Sequence, residues 1–291
     1  MVPESRSGRV LFLQQGDLIP PAPKPESPSS VALSPLTFAR VRNRPASVVA
    51  FGALIPGSEA TPGRTPVGGF PMAEIRNPEG TPFLSDPANL VAVVGKSTPP
   101  GRTRGTVRNL IKEARATILL GDGVDGLTPS DIDVFRHRTG PLALFLDQED
   151  LARLSGISRE KAFEDSLSLA QTWAQELGLL AVVGGDPYLI AMPDRRLYIQ
   201  PGRLCWRRSR GGDGLMLGTV AALYDIGFSL EEAVRNGVLL SSQAMEGVCG
   251  QNGPLEEDLG EMLEELSSAV QLFLRDPVGF MTLKPAAMQL I

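Results

Sequence analysis

Hydrophobic positions divide the chain into two regimes. From Ala88 onward, short apolar runs alternate with segments of helical period. "ANLVAVVG" (88–95) is a continuous apolar run closed by Gly95 and predicts a buried strand. "TRGTVRNLIKEAR" sets Val107, Leu110 and Ile111 at helical spacing, and "ATILL" follows as a strand. "TPSDIDVFRHR" opens with a helix-start signal, "GPLALFL" predicts the next strand, and "DQEDLARLSG" predicts a short helix closed by Gly156. "SREKAFEDSLSLAQTWAQELG" predicts one long amphipathic helix, capped by Ser158 and ended by Gly178. "LLAVVGG" and "YLIAM" are strands, and "PDRRLYIQPG" is a hairpin turn with its return strand. An apolar helix runs from Asp213 to about Ile226. "SLEEAVRNGVLLSSQAM" is the next helix, with Ser229 and Glu232 as a capping box, and "LEEDLGEMLEELSSAVQLFLRD" is a last amphipathic helix.

The first 87 residues follow no such rhythm. "GRVLFLQQG" and "ASVVAFGAL" predict strands, and "MAEIR" an edge strand. Between them lie breaker-rich stretches such as "DLIPPAPKPESPSS" and "IPGSEATPGRTPVGGFP". Residues 17–45 are therefore a candidate linker or insertion. There is no internal repeat and no clean boundary, so residues 1–291 are expected to form a single domain. Strand–helix alternation predicts a layered α/β fold with a central, mostly parallel sheet. Ligands of such sheets bind outside the carboxyl ends of the strands.

Composition narrows the chemistry. The 291 residues are 42% hydrophobic and 21% charged, enough apolar material for a large core. A net charge of −5 argues against a nucleic-acid or membrane-surface partner. The longest apolar stretch, "LGLLAVV", is too short to span a bilayer. "MVPESRSGR" leads into only four apolar residues, so no signal peptide is expected and the protein is read as cytoplasmic. Cys205 and Cys249 form neither a CxxC nor a disulfide framework. The single histidine, His137, sits in a polar run and reads as a solvated helix-end residue. No metal-ligating constellation is expected.

Two phosphate motifs fail on inspection. "GKST" (95–98) follows a strand, but Leu90 stands where a P-loop has its first glycine, and "TPPG" breaks the required helix. No GxGxxG opens a helix. The "GGDG" of residues 211–214 is different, because it opens the apolar helix. Successive glycines let backbone N–H groups converge on an anion at a helix N-terminus. On the residues alone, Asp213 is either a helix cap or a base that takes a hydroxyl proton while Gly211, Gly212 and Gly214 hold a phosphoryl group. Arg203, Arg207, Arg208 and Arg210 precede it, either as a solvated loop or as phosphate ligands.

Taken in order, "LARLSG", "LIAMPDRRLYI" and "GGDGLMLGTVAAL" resemble the ribokinase-like superfamily, and within it the ADP- or ATP-dependent NAD(P)H-hydrate dehydratases, over roughly residues 88–270. The resemblance implies a three-layer α/β/α fold and a nucleotide-coupled dehydration. In that reaction ADP or ATP, with Mg²⁺, phosphorylates the ring hydroxyl of hydrated NADH or NADPH, and elimination restores the cofactor. It implies Asp213 as base and Gly211, Gly212 and Gly214 as the phosphate loop. Gly95, Asp122, Asp125 and Asp150 would match the family's other substrate- and nucleotide-side segments. Family habit also allows a homo-oligomer.

The chain departs from the family pattern at contact positions. Asp147-Gln148 replace a His-Pro, Gly184 replaces the lysine of a Lys-Gly strand, and Arg210 stands where a glycine is expected. Arg203, Arg207, Arg208 and Arg210 could together supply the cation lost at Gly184. Two other readings follow from these departures: a catalytically inactive ribokinase-fold binding or scaffold protein, and a small-molecule kinase of sugars or vitamins.

Overall fold

A computed structural model describes residues 9–15, 37–42, 47–51, 66–67, 70–71, 75–76, 90–94, 104–120, 129, 132–184, 187–200, 212–248, 259–283 and 289–290. In chain order the strands are β1 (Arg9–Gln15), β2 (Ser47–Phe51), β3 (Pro66–Val67), β4 (Phe70–Pro71), β5 (Ile75–Arg76), β6 (Leu90–Val94), β7 (Ala116–Leu120), β8 (Leu142–Leu146), β9 (Leu180–Val183), β10 (Tyr188–Ala191), β11 (Leu197–Gln200) and β12 (Gln289–Leu290). The helices are α1 (residues 37–42), α2 (Arg104–Glu113), α3 (Ile132–Arg136), α4 (Gln148–Ser155), α5 (Arg159–Glu164), α6 (Ser166–Leu177), α7 (Gly212–Ile226), α8 (Leu230–Val248), α9 (Leu259–Arg275) and α10 (Pro277–Leu283).

Among the described residues, ten strands form one sheet in the order β12-β11-β10-β9-β8-β7-β6-β1-β2-β5. From β5 to β9 every pairing is parallel; β10, β11 and β12 continue antiparallel. The middle strands are buried on both faces, which is why they read as unbroken apolar runs rather than alternating ones. All five residues of β8 and all four of β9 are buried.

Strand alternation sorts these side chains into two cores. Ala143, Phe145, Leu180 and Val182 face one cluster, built with α7, α8 and α9. Leu142, Leu144, Leu146, Ala181 and Val183 face the other, built with α2, α3, α4 and α6. The architecture is three-layered, helices over sheet over helices, as the sequence predicts. Phe12 of β1 packs edge-to-face on Phe38 of α1 at 5.4 Å, both fully buried, and ties the N-terminal third into the first core.

Several local expectations change. Residues 37–42, inside the candidate linker, form a helix whose Thr37, Phe38, Ala39 and Val41 are buried. The long helix expected over 158–178 is two helices meeting at Asp165. There the Asp165 carbonyl accepts from both the Leu169 N–H and the Ser168 hydroxyl, so a local side-chain bond competes with the regular ladder. The chain also continues past the last expected helix, into α10 and the edge strand β12, neither of which the pattern indicates. "MAEIR" contributes β5, which does sit at the sheet edge, and the Ser229–Glu232 capping box forms in both directions.

Candidate functional site

The site is fixed by which way α7 points. β10 runs antiparallel to β9, with Ala191 beside Ala181, so the β10–β11 turn lies at the amino edge of the parallel strands. Arg196 in that turn clamps Glu231, at the start of α8, through two nitrogens at 2.8 and 2.9 Å. Glu231 follows the end of α7 by five residues, so the C-terminal end of α7 also lies at the amino edge. A second contact agrees. Arg42, five residues before β2, donates to Asp225 in the last turn of α7 at 2.5 Å. A 15-residue helix spans about 22 Å, so its first turn stands at the opposite, carboxyl edge, where ligands of open parallel sheets bind.

That first turn begins Gly212-Asp213-Gly214. Its leading N–H groups have no partner within the helix, and the peptide dipoles add partial positive charge there. Gly212 and Gly214 put no side chain in front of those donors, which lets an anion approach the backbone closely. Every residue from Gly214 to Ile226 is buried. The backbone therefore brings Asp213 to the mouth of a buried helix. Gly95, Asp122, Asp125, Arg210 and Gly211 lie outside the described residues, as does the whole of Arg203–Arg210.

On the same edge, β8 hands over to α4 through Asp147. The Asp147 carboxylate caps α4 by accepting from the Asp150 N–H at 2.8 Å, and Asp150 returns the bond to the Asp147 N–H at 3.3 Å. The other Asp150 oxygen accepts from Arg153 Nη2 at 2.8 Å. Burial, and then the neighbouring Asp147 charge, push the Asp150 carboxyl up to about 6 against the pull of Arg153. Asp150 thus stands at the carboxyl edge of the sheet, with its oxygens already engaged. Reading the sequence for ligands passes over this closed arrangement, although its Asp-x-x-Asp spacing and the arginine three residues on were the signal. Next to this corner, Gly184 closes β9 and donates its N–H to the Leu146 carbonyl at 2.7 Å. No side chain projects there.

Among the described residues no group of three or more His, Cys, Asp or Glu side chains could hold a metal ion. His137 is exposed beyond the end of α3, as expected. No helix of the described residues is long and apolar enough to cross a membrane.

This geometry can be set beside known proteins. An Enterococcus faecalis protein described as a ribokinase-like superfamily member superposes with a TM-score of 0.66 at 15% identity, over 94% of this chain and 92% of that one. The fold is ribokinase-like. A structure of the ADP/ATP-dependent NAD(P)H-hydrate dehydratase of Bacillus subtilis, co-crystallised with ATP and Mg²⁺ and soaked with coenzyme A, superposes equally well. Its TM-score is 0.66 at 17% identity, over 92% of this chain and 95% of that one. In sequence, the bifunctional NAD(P)H-hydrate repair enzyme of Thermofilum pendens is 28% identical over 171 residues, 58% of this chain. That of Moorella thermoacetica is 27% identical over 172 residues, 57% of this chain. The chain spans about a third of the length of these relatives, 32% in each case. No protein-family model matches it. The resemblance carried by the motifs and the one found by comparison point to the same NAD(P)H-hydrate repair group.

Proposed function

We propose that the protein is an ADP- or ATP-dependent NAD(P)H-hydrate dehydratase, a lyase that restores hydrated nicotinamide cofactors. One observation carries the reading: the Gly-Asp-Gly start of α7, at the carboxyl edge of the sheet, on a chain whose relatives are named for this repair. The first-turn N–H groups hold the terminal phosphoryl group of the nucleotide. Asp213 accepts the proton of the ring hydroxyl as its oxygen bonds to that phosphorus and the bridging P–O bond breaks. The ring C–O bond then breaks with loss of a ring proton, leaving phosphate, the shortened nucleotide and NADH or NADPH.

The reading assigns Gly211 to the phosphate loop beside Gly212 and Gly214, and Arg210 to the phosphate charge that Gly184 cannot meet. It assigns Gly95, Asp122 and Asp125 to contacts with the nicotinamide dinucleotide. Asp150 serves through the corner it builds with Asp147, since Arg153 already engages its carboxylate. Mg²⁺ would neutralise the phosphates during transfer. The reading goes with a cytoplasmic enzyme acting on freely diffusing cofactor, without nucleic acid or membrane, and it allows a homo-oligomer.

Gly184 favours a second reading. Its bare backbone, where the resembling family carries a lysine, suits a descendant that binds a ligand without turning it over. Asp213→Asn separates the two. On the enzyme reading it abolishes nucleotide-dependent turnover of hydrated NADH and leaves nucleotide affinity within a few-fold. A wild-type protein that binds ATP yet never converts the hydrate supports the second reading. A stable phosphorylated product from a small alcohol would instead mark a kinase.

A further inference from the structure

α7 packs against α8 through a hydroxyl contact and a close backbone approach. Residues 214–226 are all buried, so α7 has no solvated face to hold it. Apolar burial itself has no direction, so specific contacts with neighbouring elements add to the close packing that holds the helix in place. Arg42 holds the far end of α7 through Asp225, and two further contacts bear on how far α7 protrudes at the carboxyl edge.

Both come from one face of α8: one hydrogen bond, from Ser241, and one steric contact, at Gly237. The Ser241 hydroxyl donates to Thr219 Oγ1 at 3.3 Å, and Thr219 Oγ1 donates to the Leu215 carbonyl at 2.7 Å. Ser241 and Thr219 are both fully buried. This hydroxyl pair links α8 to Leu215, one residue after Gly214 in the first turn of α7. One turn earlier on α8, Gly237 lies against the neighbouring residue, Val220. A Cβ on Gly237 would stand 2.5 Å from Val220 Cγ2 and 3.2 Å from the Val220 Cα and N atoms. The two helices meet there at backbone distance, and only glycine permits it.

We infer that Ser241 and Gly237 are positioning residues. They set the axial register of α7, and through it the place where the Gly212–Gly214 amides and Asp213 stand. The inference rests on the reading of α7 as the phosphate-binding helix. Neither residue touches a ligand. A misplacement of about 1 Å in such donors costs on the order of a hundredfold in rate, so small shifts at the α7–α8 crossing are legible at the site.

The test compares Gly237→Ala, Ser241→Ala and Gly237→Ala/Val220→Ala in the full chain. The double variant removes the Cγ2 atom that the new methyl meets. The first readout is the set of backbone amide NMR shifts of Gly212, Asp213 and Gly214, recorded without ligand. They should move in Gly237→Ala and return toward wild type in the double variant. The second is turnover of hydrated NADH per folded molecule. kcat should fall roughly tenfold or more in Gly237→Ala and recover in the double variant, with KM for the dinucleotide little changed. Ser241→Ala, which adds no bulk, should show the same changes at smaller size if Gly237→Ala fails to fold. Amide shifts that stay fixed, or a kcat per folded molecule that stays at wild type while only the Tm falls, overturn the inference. An inactive wild type refutes the dehydratase reading instead, and the amide shifts still decide the register.

Discussion

Arg42 and Asp225 join α1 to the end of the helix that carries the candidate site. Their nitrogen and oxygen are 2.5 Å apart, and the Asp225 side chain is only 1% exposed. A hydrogen bond to a charged group contributes about 1.5–3 kcal/mol. Arg42→Met should therefore lower the unfolding free energy by about 2 kcal/mol, read as a fall in the urea midpoint at unchanged slope. Arg42→Met/Asp225→Leu should lose less than the single variant, because the buried charge goes with its partner. A single variant of wild-type stability would show that the Arg42–Asp225 bond contributes nothing to the fold.

Asp150 predicts a pH dependence with a definite sign. Burial and Asp147 raise its folded value to about 6, above the ordinary carboxylate value of 3.8. The native state therefore holds this proton more tightly than the unfolded chain does. The stability it contributes is complete below about pH 4 and lost as pH rises through about 6. The unfolding free energy of wild type minus that of Asp150→Asn should fall across that window. Asp147→Asn removes one of the raising charges and should move the fall to lower pH. A difference that stays flat from about pH 4 to pH 7 would show that Asp150 titrates normally.

Arg138 staples two helix ends together. It donates to the carbonyls of Phe135, Leu177 and Gly178, closing the C-termini of α3 and α6, and burial lowers its pKa. Arg138→Lys keeps the charge but cannot reach three carbonyls in a planar fork. It should be destabilised by about 1–3 kcal/mol. Denaturation of the lysine variant at the wild-type midpoint would contradict this role.

These particulars also show what the sequence could carry. β6 to β9 were legible because a strand buried on both faces needs only a run of apolar residues, and that run is visible without its neighbours. The start of α7 was legible because glycines at the mouth of an apolar helix have few other uses. The break at Asp165 was not, because a hydroxyl competing for one carbonyl leaves the hydrophobic period intact on either side. Nor was α1, whose burial depends on Phe12 from a distant strand. The engagement of Asp150 with Arg153 and Asp147 was not legible either, because it is a matter of side-chain geometry. The α7–α8 contact at Val220 and Gly237 joins two helices whose sequences give no sign of their separation.

The central claim is that the first turn of α7 grips a nucleotide so that hydrated cofactor can be dehydrated beside it. The most direct measurement incubates the protein with hydrated NADH and Mg²⁺, with ATP, with ADP and with no nucleotide, and follows the return of the near-ultraviolet absorbance of NADH. The account predicts recovery with at least one nucleotide, matched by equimolar phosphate release, and none without nucleotide or in Asp213→Asn. Recovery that proceeds equally well without nucleotide, or in Asp213→Asn, would contradict it.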